Sequence, residues 1–291
     1  MSVLNMNNVT KRFGKFTALD KVNLTLKQGE VHGFIGPNGA GKTTTIRILL
    51  GIYRATEGNA TIFGKDVWHE AVDIHRRIAY VPGDVNLWPN LTGGEIIDLL
   101  VRLRRSGSKS QRKYYIERFG LDPSKKCRTY SKGNRQKVAL VAAFASDADL
   151  FIFDEPTSGL DPLMEEVFMD CVNEVKKQGK SVLLSSHILT EVERLCDKVS
   201  IIRNGKIIES GTLEQLRHLT RTTVAVRTRQ PLNELRSSPY IHDMKEENGR
   251  VVFSVDSDAI NEVIAQVSRC GIISIECSPP SLEEMFMRHY Q

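Results

Sequence analysis

The sequence predicts an α/β fold followed by a small α+β domain, and three observations lead to this prediction. An apolar run at residues 31–35 precedes a glycine-rich loop and then apolar residues at helical spacing, which indicates strand, loop and helix. Further apolar runs, such as residues 150–153, alternate with helical patterns, as they do in parallel sheets. After residue 219, alternating strand patterns flank one amphipathic helix.

The size and composition of the chain bound its class. Its 291 residues, of which 41% are hydrophobic, can bury a large core or a large and a small one. No run approaches the roughly 20 apolar residues of a membrane span, and residues 1–10 lack both a basic leader and an apolar signal core. Five scattered cysteines without a C-x-x-C pair argue against disulfides and zinc. We therefore expect a cytoplasmic protein with reduced thiols.

Positive charge is concentrated between Arg102 and Lys137. This stretch holds 13 basic residues and two acids, a net +11, while the whole chain carries +5. Such a stretch is either a solvated helical face or a surface that faces acidic phospholipids or an acidic partner. Neither aromatic interleaving nor a recognised nucleic-acid motif accompanies it, so we expect no nucleic-acid partner.

The first strands and helices follow from alternation and capping patterns. Residues 3–10 and 22–26 alternate between apolar and polar, which predicts two antiparallel strands that lead into the strand at 31–35. Residues 59–63 and 76–81 predict two more short strands. Thr92 and Glu95 form a capping-box pattern, so a helical region begins near residue 93 and continues, interrupted around residues 106–110, to residue 119.

The loop after the strand at 31–35 has the spacing G-x-x-x-x-G-K-T. Its glycines allow successive backbone N–H groups to face phosphates, Lys42 can reach the β- and γ-phosphates, and the Thr43 hydroxyl can bind Mg²⁺. The following helix adds its positive N-terminal end. We therefore predict a nucleoside triphosphate site at Gly36, Pro37, Asn38, Gly39, Ala40, Gly41, Lys42, Thr43 and Thr44.

Two adjacent carboxylates, Asp154 and Glu155, follow the buried strand at 150–153. Two acids at the end of a parallel strand are costly to hold together unless a cation or a reacting water uses them. His187 follows the next predicted strand, at 181–184, but a lone histidine in that position is more often structural. Between these, residues 162–177 predict a helix that ends before Gly179.

A polar turn, residues 130–134, opens the apolar helix at 138–144. Serine and glycine at a helix start place donors where an anion could bind, although most such starts are only caps. Asn204-Gly205 between two strand patterns predicts a hairpin. In the C-terminal part, strands are predicted at 222–228, 250–255 and 272–277, a helix at 258–270 and a last helix after Pro279-Pro280.

Together, these motifs and their order resemble the nucleotide-binding subunit of an ATP-binding cassette (ABC) transporter, over residues 3–219. Residues 36–44 resemble its Walker A loop and residues 150–155 its Walker B strand. Ser131 and Gly133 resemble the family signature, residues 158–161 the D-loop, and His187 the switch histidine. The resemblance implies a P-loop NTPase fold with a mixed sheet core, an antiparallel β subdomain and a helical subdomain at about residues 84–145. A C-terminal α+β accessory domain would cover residues 220–291.

The resemblance also implies ATP as the nucleotide, Mg²⁺ as the cofactor and roles for individual residues. Phe13 would stack on adenine, Asp154 would organise Mg²⁺ with Thr43, and Glu155 would polarise the attacking water. Lys42 and His187 would complete the catalytic set through phosphate contacts. The remaining implied nucleotide-binding residues are Ser131, Gly133, Asn134 and Asp161.

One phosphate loop buries only one side of a nucleotide, so a second subunit, identical or related, is expected to complete the site. Residues 131–134 of one subunit would donate to the γ-phosphate bound by the other. Closure would depend on that phosphate, and hydrolysis would remove the contact that favours the closed state.

Two positions depart from the family pattern. The signature is Tyr-Ser-Lys-Gly-Asn rather than Leu-Ser-Gly-Gly-Gln. A Q-loop glutamine is expected after residues 80–82, where Gly83 and Asp84 stand instead. Asp84 substitutes for it, or the coupling between nucleotide and permease differs.

A transporter of this kind needs a separate membrane permease, and the stretch from Arg102 to Lys137 would lie in the helical subdomain that faces it. This chain would then be peripheral at the inner face of the cell membrane. Residues 281–286 resemble the tails of ATPase subunits of bacterial drug, peptide or polysaccharide exporters, which favours export over import.

Other functions fit the sequence less well. An alternative is a soluble ABC protein acting on ribosomes or DNA, but the chain has a single phosphate loop and no sustained heptads. A binding-only regulator is disfavoured by the intact Lys42, Asp154, Glu155 and His187. A GTPase or P-loop kinase would have no use for residues 131–134 or Phe13.

Overall fold

The computed structural model describes residues 2–103, 109–218, 221–232, 235, 238–247, 249–256 and 259–278. The chain divides into two compact units, residues 1–210 and 211–291. The sequence predicts this boundary after residue 219. In the structure, the helix Leu213–His218 belongs by its contacts to the second unit. Within the described ranges, no helix has the length and apolar character needed to cross a membrane.

The first unit combines two sheets with helices. Its strands are β1 (Ser2–Phe13), β2 (Phe16–Lys27), β3 (Val31–Ile35), β4 (Glu57–Ile62), β5 (Lys65–Asp66), β6 (Ile78–Val81), β7 (Leu150–Asp154), β8 (Ser181–Ser186), β9 (Lys198–Arg203) and β10 (Lys206–Thr212), of which the last two residues count with the second unit. Its helices are α1 (Lys42–Leu49), α2 (Ala71–His75), α3 (Gly93–Leu103), α4 (Lys109–Arg118), α5 (Lys132–Phe144), α6 (Pro162–Lys177) and α7 (Leu189–Leu195).

The larger sheet has the order β10-β9-β3-β8-β7-β6, and strands β9 to β6 in this order run parallel. The register pairs Ile35 with Ser186 and Asp154 with Ser185. Because parallel strands end at the same edge of a sheet, the loops after β3, β7 and β8 meet there. The prediction that the phosphate-loop strand lies in a parallel sheet is confirmed.

The smaller sheet has the order β2-β1-β4-β5 and is antiparallel, which confirms the two antiparallel strands expected before β3. One hydrophobic cluster joins both sheets and α1, with Leu4, Leu24, Phe34, Ile46 and Ile152 among its buried members. The phosphate loop therefore rests on a core shared by both sheets.

Helices α4, α5 and α6 pack together and against the larger sheet through aromatic rings around Phe144 of α5. Its ring centroid lies 5.6 Å from that of Tyr115 on α4, 5.5 Å from that of Phe153 on β7 and 6.1 Å from that of Phe168 on α6. Thr92 and Glu95 form the expected capping box at the start of α3, with Thr92 N donating to Glu95 Oε2 at 2.7 Å and Glu95 N donating to Thr92 Oγ1 at 3.2 Å. Part of the interruption expected at 106–110 falls outside the described residues.

The second unit holds α8 (Leu213–His218), β11 (Arg221–Thr228), β12 (Ile241–Glu247), β13 (Arg250–Asp256), α9 (Ile260–Arg269) and β14 (Ile272–Ser278). Its antiparallel sheet has the order β12-β13-β11-β14. Val224, Phe253 and Val263 are buried in its own core. Strand β12 was not predicted from the sequence. The helix expected after Pro279-Pro280 lies outside the described residues.

Candidate active site

The phosphate loop leaves β3 at Gly36 and enters α1 at Lys42. A Cβ on Gly36 would lie 2.4 Å from the carbonyl oxygen of Ile202, and Gly41 has a φ of 115°. A side chain is therefore excluded at the first position by contact and disfavoured at the second by backbone strain. The helix begins directly after the loop, so its free N–H groups point toward the space where phosphate would bind.

Lys42 is almost fully buried, with an exposed fraction of 5%. Its Nζ donates to the carbonyl oxygens of Gly36 at 2.6 Å and Pro37 at 3.2 Å. It also lies 3.5 Å from Oε1 of Glu155. The cation is thus held at the mouth of the loop by three oxygen atoms that a phosphate group could replace.

Thr43 and Asp154 come together from α1 and β7. Thr43 Oγ1 donates to Asp154 Oδ2 at 3.2 Å. Burial raises the pKa of Asp154, while the nearby hydroxyls of Ser185 and Thr43 partly oppose this shift. A buried carboxylate beside a hydroxyl, both hard oxygen donors, fits a divalent cation such as Mg²⁺, whose charge would offset the cost of ionising Asp154 there.

Glu155 adopts a left-handed backbone conformation, with a φ of 49°. Its N–H donates to the carbonyl of Ser185 at 2.9 Å, which fixes the turn after β7. The Oε1 atom that faces Lys42 also lies 3.4 Å from Nδ1 of His187. The structure therefore brings Lys42, Glu155 and His187 together around one carboxylate oxygen.

Gly83, at the position of the missing glutamine, lies against the same turn. A Cβ there would be 3.1 Å from the carbonyl oxygen of Asp154 and 3.6 Å from Cβ of Glu155. Asp84 is exposed, and its Oδ2 lies 3.5 Å from Nδ2 of Asn86. The chain after β6 thus touches the carboxylate pair through backbone.

Phe13 lies at the end of β1 and is 44% exposed. Its ring meets that of Tyr53 edge to face, with centroids 5.4 Å apart. Lys11 Nζ lies 4.8 Å from the Phe13 ring centroid. An exposed ring with a cation beside it can accept a flat aromatic base.

The signature residues form the first turn of α5. Ser131 caps the helix by accepting a hydrogen bond from Asn134 N at 3.3 Å. A Cβ on Gly133 would lie 2.5 Å from the carbonyl of Gly159, so the turn touches the D-loop of its own chain. Within the described residues, no hydrogen bond or ion pair joins residues 131–134 to the phosphate loop.

Asp161 ends the D-loop and caps α6, whose bounds Pro162–Lys177 equal those predicted from sequence. Its Oδ1 accepts from Met164 N at 3.0 Å. In the described structure this carboxylate has a structural task at the start of α6.

One site residue escaped the sequence reasoning. Glu191 of α7 is buried, and Ser186 Oγ donates to its Oε2 at 2.9 Å. Burial raises the pKa of Glu191. Since Ser186 Oγ also accepts from Ile188 N at 2.9 Å, Glu191 braces both flanks of His187. The only sequence signal is an acid four residues after that histidine.

Comparison with known proteins agrees with this geometry. The ABC transporter family model matches residues 19–158, and the model of the C-terminal domain of DrrA1-3-like ATP-binding proteins matches residues 211–290. The ABC transporter ATP-binding protein YhaQ of Bacillus subtilis, itself uncharacterized, is 33% identical over 98% of this chain and 97% of its own. The chain belongs to the ATP-binding proteins of ABC transporters.

Other relatives extend this assignment. The bacitracin transport ATP-binding protein BcrA of Enterococcus faecalis is 27% identical over 98% of this chain and 96% of its own. A dimeric ATP-binding cassette solved in a post-hydrolysis state with ADP and Pi is 26% identical, with a TM-score of 0.66 over 72% of this chain and 98% of that one. This ABC protein is thus an ATP-hydrolysing subunit with the fold expected from its sequence.

Proposed function

We propose that this ABC protein powers a membrane exporter by Mg²⁺-dependent hydrolysis of ATP. The observation that carries the proposal is the convergence of Lys42, Glu155 and His187 beside the Thr43–Asp154 pair. Hydrolysis of a phosphoanhydride requires a cation for the phosphates, a group that can orient water and oxygen ligands for a divalent metal ion. These residues bring all three together.

Each of these residues has a role that its surroundings support. Lys42 binds the β- and γ-phosphates by exchanging carbonyl and carboxylate partners for phosphate oxygens. Thr43 and Asp154 hold Mg²⁺, which supplies charge neutralisation on the phosphates when bound. Glu155 orients the attacking water, and His187, whose Nδ1 faces the Glu155 carboxylate, contacts the γ-phosphate. Phe13 stacks on adenine.

The site is completed by a second nucleotide-binding subunit. ATP-binding proteins of ABC transporters dimerise and pair with a membrane permease, and the separation of residues 131–134 from the phosphate loop of their own chain supports such a dimer here. Ser131, Gly133 and Asn134 of one subunit would donate to the γ-phosphate bound by the other, and Asp161 would lie at the same interface. Binding of two ATP molecules then closes the dimer, and hydrolysis releases it.

An apolar groove supports the permease as the other partner. It has a volume of about 550 Å³ and lies between α1, α2, β6 and α3, lined by Leu50, Ile52, Val72, His75, Arg76, Ile78, Tyr80, Leu100 and Leu103. Val72 is 71% exposed and Leu103 69%. Exposed apolar residues that share a groove indicate a binding surface rather than a solvated one.

The charge of the neighbouring region supports a place at the membrane. The stretch from Arg102 to Lys137, with its net +11, includes the end of α3 and the start of α5. Such a concentration of basic residues would be attracted to the anionic lipids of the inner leaflet. We therefore propose that the protein is peripheral at the inner face of the cell membrane, bound to its permease.

The proposed direction is export, which the resemblance of residues 281–286 to the tails of exporter subunits favours. BcrA carries bacitracin transport in its name, and the second unit matches the C-terminal domain of DrrA1-3-like ATP-binding proteins. The soluble alternative, action on ribosomes or DNA, finds no support among these comparisons.

Membrane fractionation tests the permease proposal. The full chain, expressed in the cells that make it, should sediment with membranes, and Val72→Asp or Leu103→Asp should move it to the soluble fraction. Ile208→Asp, at a half-exposed apolar residue on β10, is the matched control and should stay bound. Purified variants should keep the ATPase rate of the wild type. Equal membrane binding by all variants would contradict the role of the groove.

A further inference from the structure

Lys132 stands where the family signature has a glycine, and its side chain reaches the D-loop of the same chain. Its Nζ donates to Ser158 Oγ at 2.7 Å. Its methylene groups cover Gly159: a Cβ on that glycine would lie 3.2 Å from Cδ and 3.3 Å from Cγ of Lys132. A glycine at position 132 could make neither contact.

The first turn of α5 meets the same segment at two further points. Gly133 approaches Gly159 so closely that a Cβ on Gly133 would be 2.5 Å from the Gly159 carbonyl oxygen. Gln136 is buried, and its Nε2 donates to the carbonyl of Pro156 at 2.8 Å. The segment from Pro156 to Gly159 is therefore held along its length by the start of α5.

This segment carries Glu155 at its beginning. Ser158 N donates to the Glu155 carbonyl at 3.2 Å, and Leu160 N donates to the Thr157 carbonyl at 2.9 Å. Glu155 itself has the strained φ of 49°, which persists only when neighbouring contacts enforce it. A shift at Ser158 thus reaches the backbone of Glu155 through one hydrogen bond.

We propose that Lys132 is a positioning residue for ATP hydrolysis. Through Ser158 and Gly159 it fixes the backbone that carries Glu155 relative to the signature turn of the same subunit. The inference rests on the proposed function, in which Glu155 orients water and the signature turn serves the ATP bound by the partner. Lys132 then couples the two ATP sites of the dimer: the position of Glu155 at a subunit's own ATP depends on the signature turn that contacts the ATP bound by the partner subunit.

The chemistry of the contact separates this role from a merely structural one. Lys132 is exposed and Ser158 half-buried, and the hydrogen bond between them is exposed to solvent. A hydrogen bond in that setting adds little to the stability of the fold. Its loss should leave the melting temperature and ATP binding nearly unchanged. It should lower kcat, because small displacements of a catalytic group are costly in rate.

A double-mutant cycle tests the proposal on the purified full chain. Lys132→Met keeps the methylene stem and removes the donor, and Ser158→Ala removes the acceptor. We expect each to lower kcat for MgATP about three- to ten-fold, the loss expected for one positioning hydrogen bond, with KM within about two-fold of the wild type. The double variant should be no slower than the slower single variant. Lys113→Met, at an exposed lysine of α4, is the control and should keep the wild-type kcat.

Two results would overturn the inference: unchanged kcat in both single variants, or a double variant whose loss equals the product of the two. If Lys132→Met does not fold, Ser158→Ala alone decides, because unchanged kcat in that variant also removes the role. Glu155→Gln, measured in parallel, separates this inference from the proposed function. Wild-type turnover in Glu155→Gln would refute the function itself, whereas lost turnover there with normal Ser158→Ala refutes only the role of Lys132.

Discussion

The ammonium of Lys42 lies 3.5 Å from the carboxylate of Glu155. The group expected to bind phosphate and the group expected to orient water therefore form an ion pair with each other. A triphosphate that enters the loop competes with Glu155 for the same cation. Binding would release the Glu155 carboxylate from this pair at the moment when a water molecule needs it.

Replacing Lys42 by methionine tests the first half of this relationship. The variant keeps a stem of similar length and loses the charge, so we expect ATP affinity to fall at least ten-fold, as for loss of a charge-assisted contact. Isothermal titration calorimetry with ATP gives the measurement, and Lys113→Met is the control. Unchanged affinity in Lys42→Met would show that the lysine does not hold phosphate.

Asp154 should limit the stability of the protein at neutral pH. Burial raises its pKa above the usual 3.8, so the folded protein holds this proton more tightly than the unfolded chain. Ionised Asp154 therefore costs stability at pH 7, and the cost disappears as the pH falls below 3.8, where both states are protonated. Asp154→Asn should raise Tm at pH 7, by about 2–4 °C for each kcal/mol, and abolish Mg²⁺-dependent turnover.

Asp149→Asn is the matched control, for which we expect the opposite change in Tm. Burial alone would raise the pKa of Asp149, but Arg77 and Lys180 outweigh it and hold that pKa below 3.8. Its ionised form therefore stabilises the fold at pH 7, and Asp149→Asn should lower Tm. Differential scanning fluorimetry between pH 5 and 8 measures both. A lower Tm in Asp154→Asn would contradict the cost assigned to its burial.

Restoring the family's glutamine at Gly83 should not restore a better enzyme. A Cβ at this position would lie 3.1 Å from the carbonyl of Asp154, and a backbone oxygen cannot rotate away as a flexible side chain could. We expect Gly83→Ala and Gly83→Gln both to lower kcat several-fold.

Asp84→Ala should leave the Mg²⁺ concentration for half-maximal rate unchanged, because Asp84 is exposed. A raised Mg²⁺ requirement in Asp84→Ala would instead give that residue the missing role.

Phe13 should contribute to recognition of the base and not of the phosphates. Loss of base stacking on an aromatic ring costs about 1–3 kcal/mol, so Phe13→Ala should weaken ATP binding about five-fold or more. Binding of inorganic triphosphate, which has no base, should not change. Phe13→Trp should recover ATP affinity. Equal losses for ATP and triphosphate would indicate that the ring supports the loop and not adenine.

Local patterns were enough to predict the elements that carry the phosphate loop and the carboxylates. The bounds of α6 could be predicted because Asp161 and Pro162 mark its start and Gly179 its end. Strand β12 could not, because it lies at the edge of its sheet with three acids and a lysine among its seven residues and shows no apolar alternation. Helix α2, with five residues, is too short for a helical period to appear.

Contacts between distant motifs were beyond sequence reasoning for a different reason. Lys132 and Ser158 are 26 residues apart, and their meeting depends on how α5 lies against the turn after β7. The sequence shows that glycine is replaced by lysine in the signature, but not that the new side chain has a partner. In the same way, the sequence shows only that Gly83 replaces the expected glutamine. The structure adds that the carbonyl oxygen of Asp154 lies where a side chain at this position would begin.

Glu155→Gln tests the central claim most directly. In this variant the neutral amide cannot accept a proton from water, yet Lys42 and Thr43 remain to bind ATP and Mg²⁺, so ATP should be bound without being consumed. We expect size-exclusion chromatography with light scattering to show a dimer that retains ATP, and phosphate release to fall at least about a hundred-fold. Phosphate release at the wild-type rate would contradict the account.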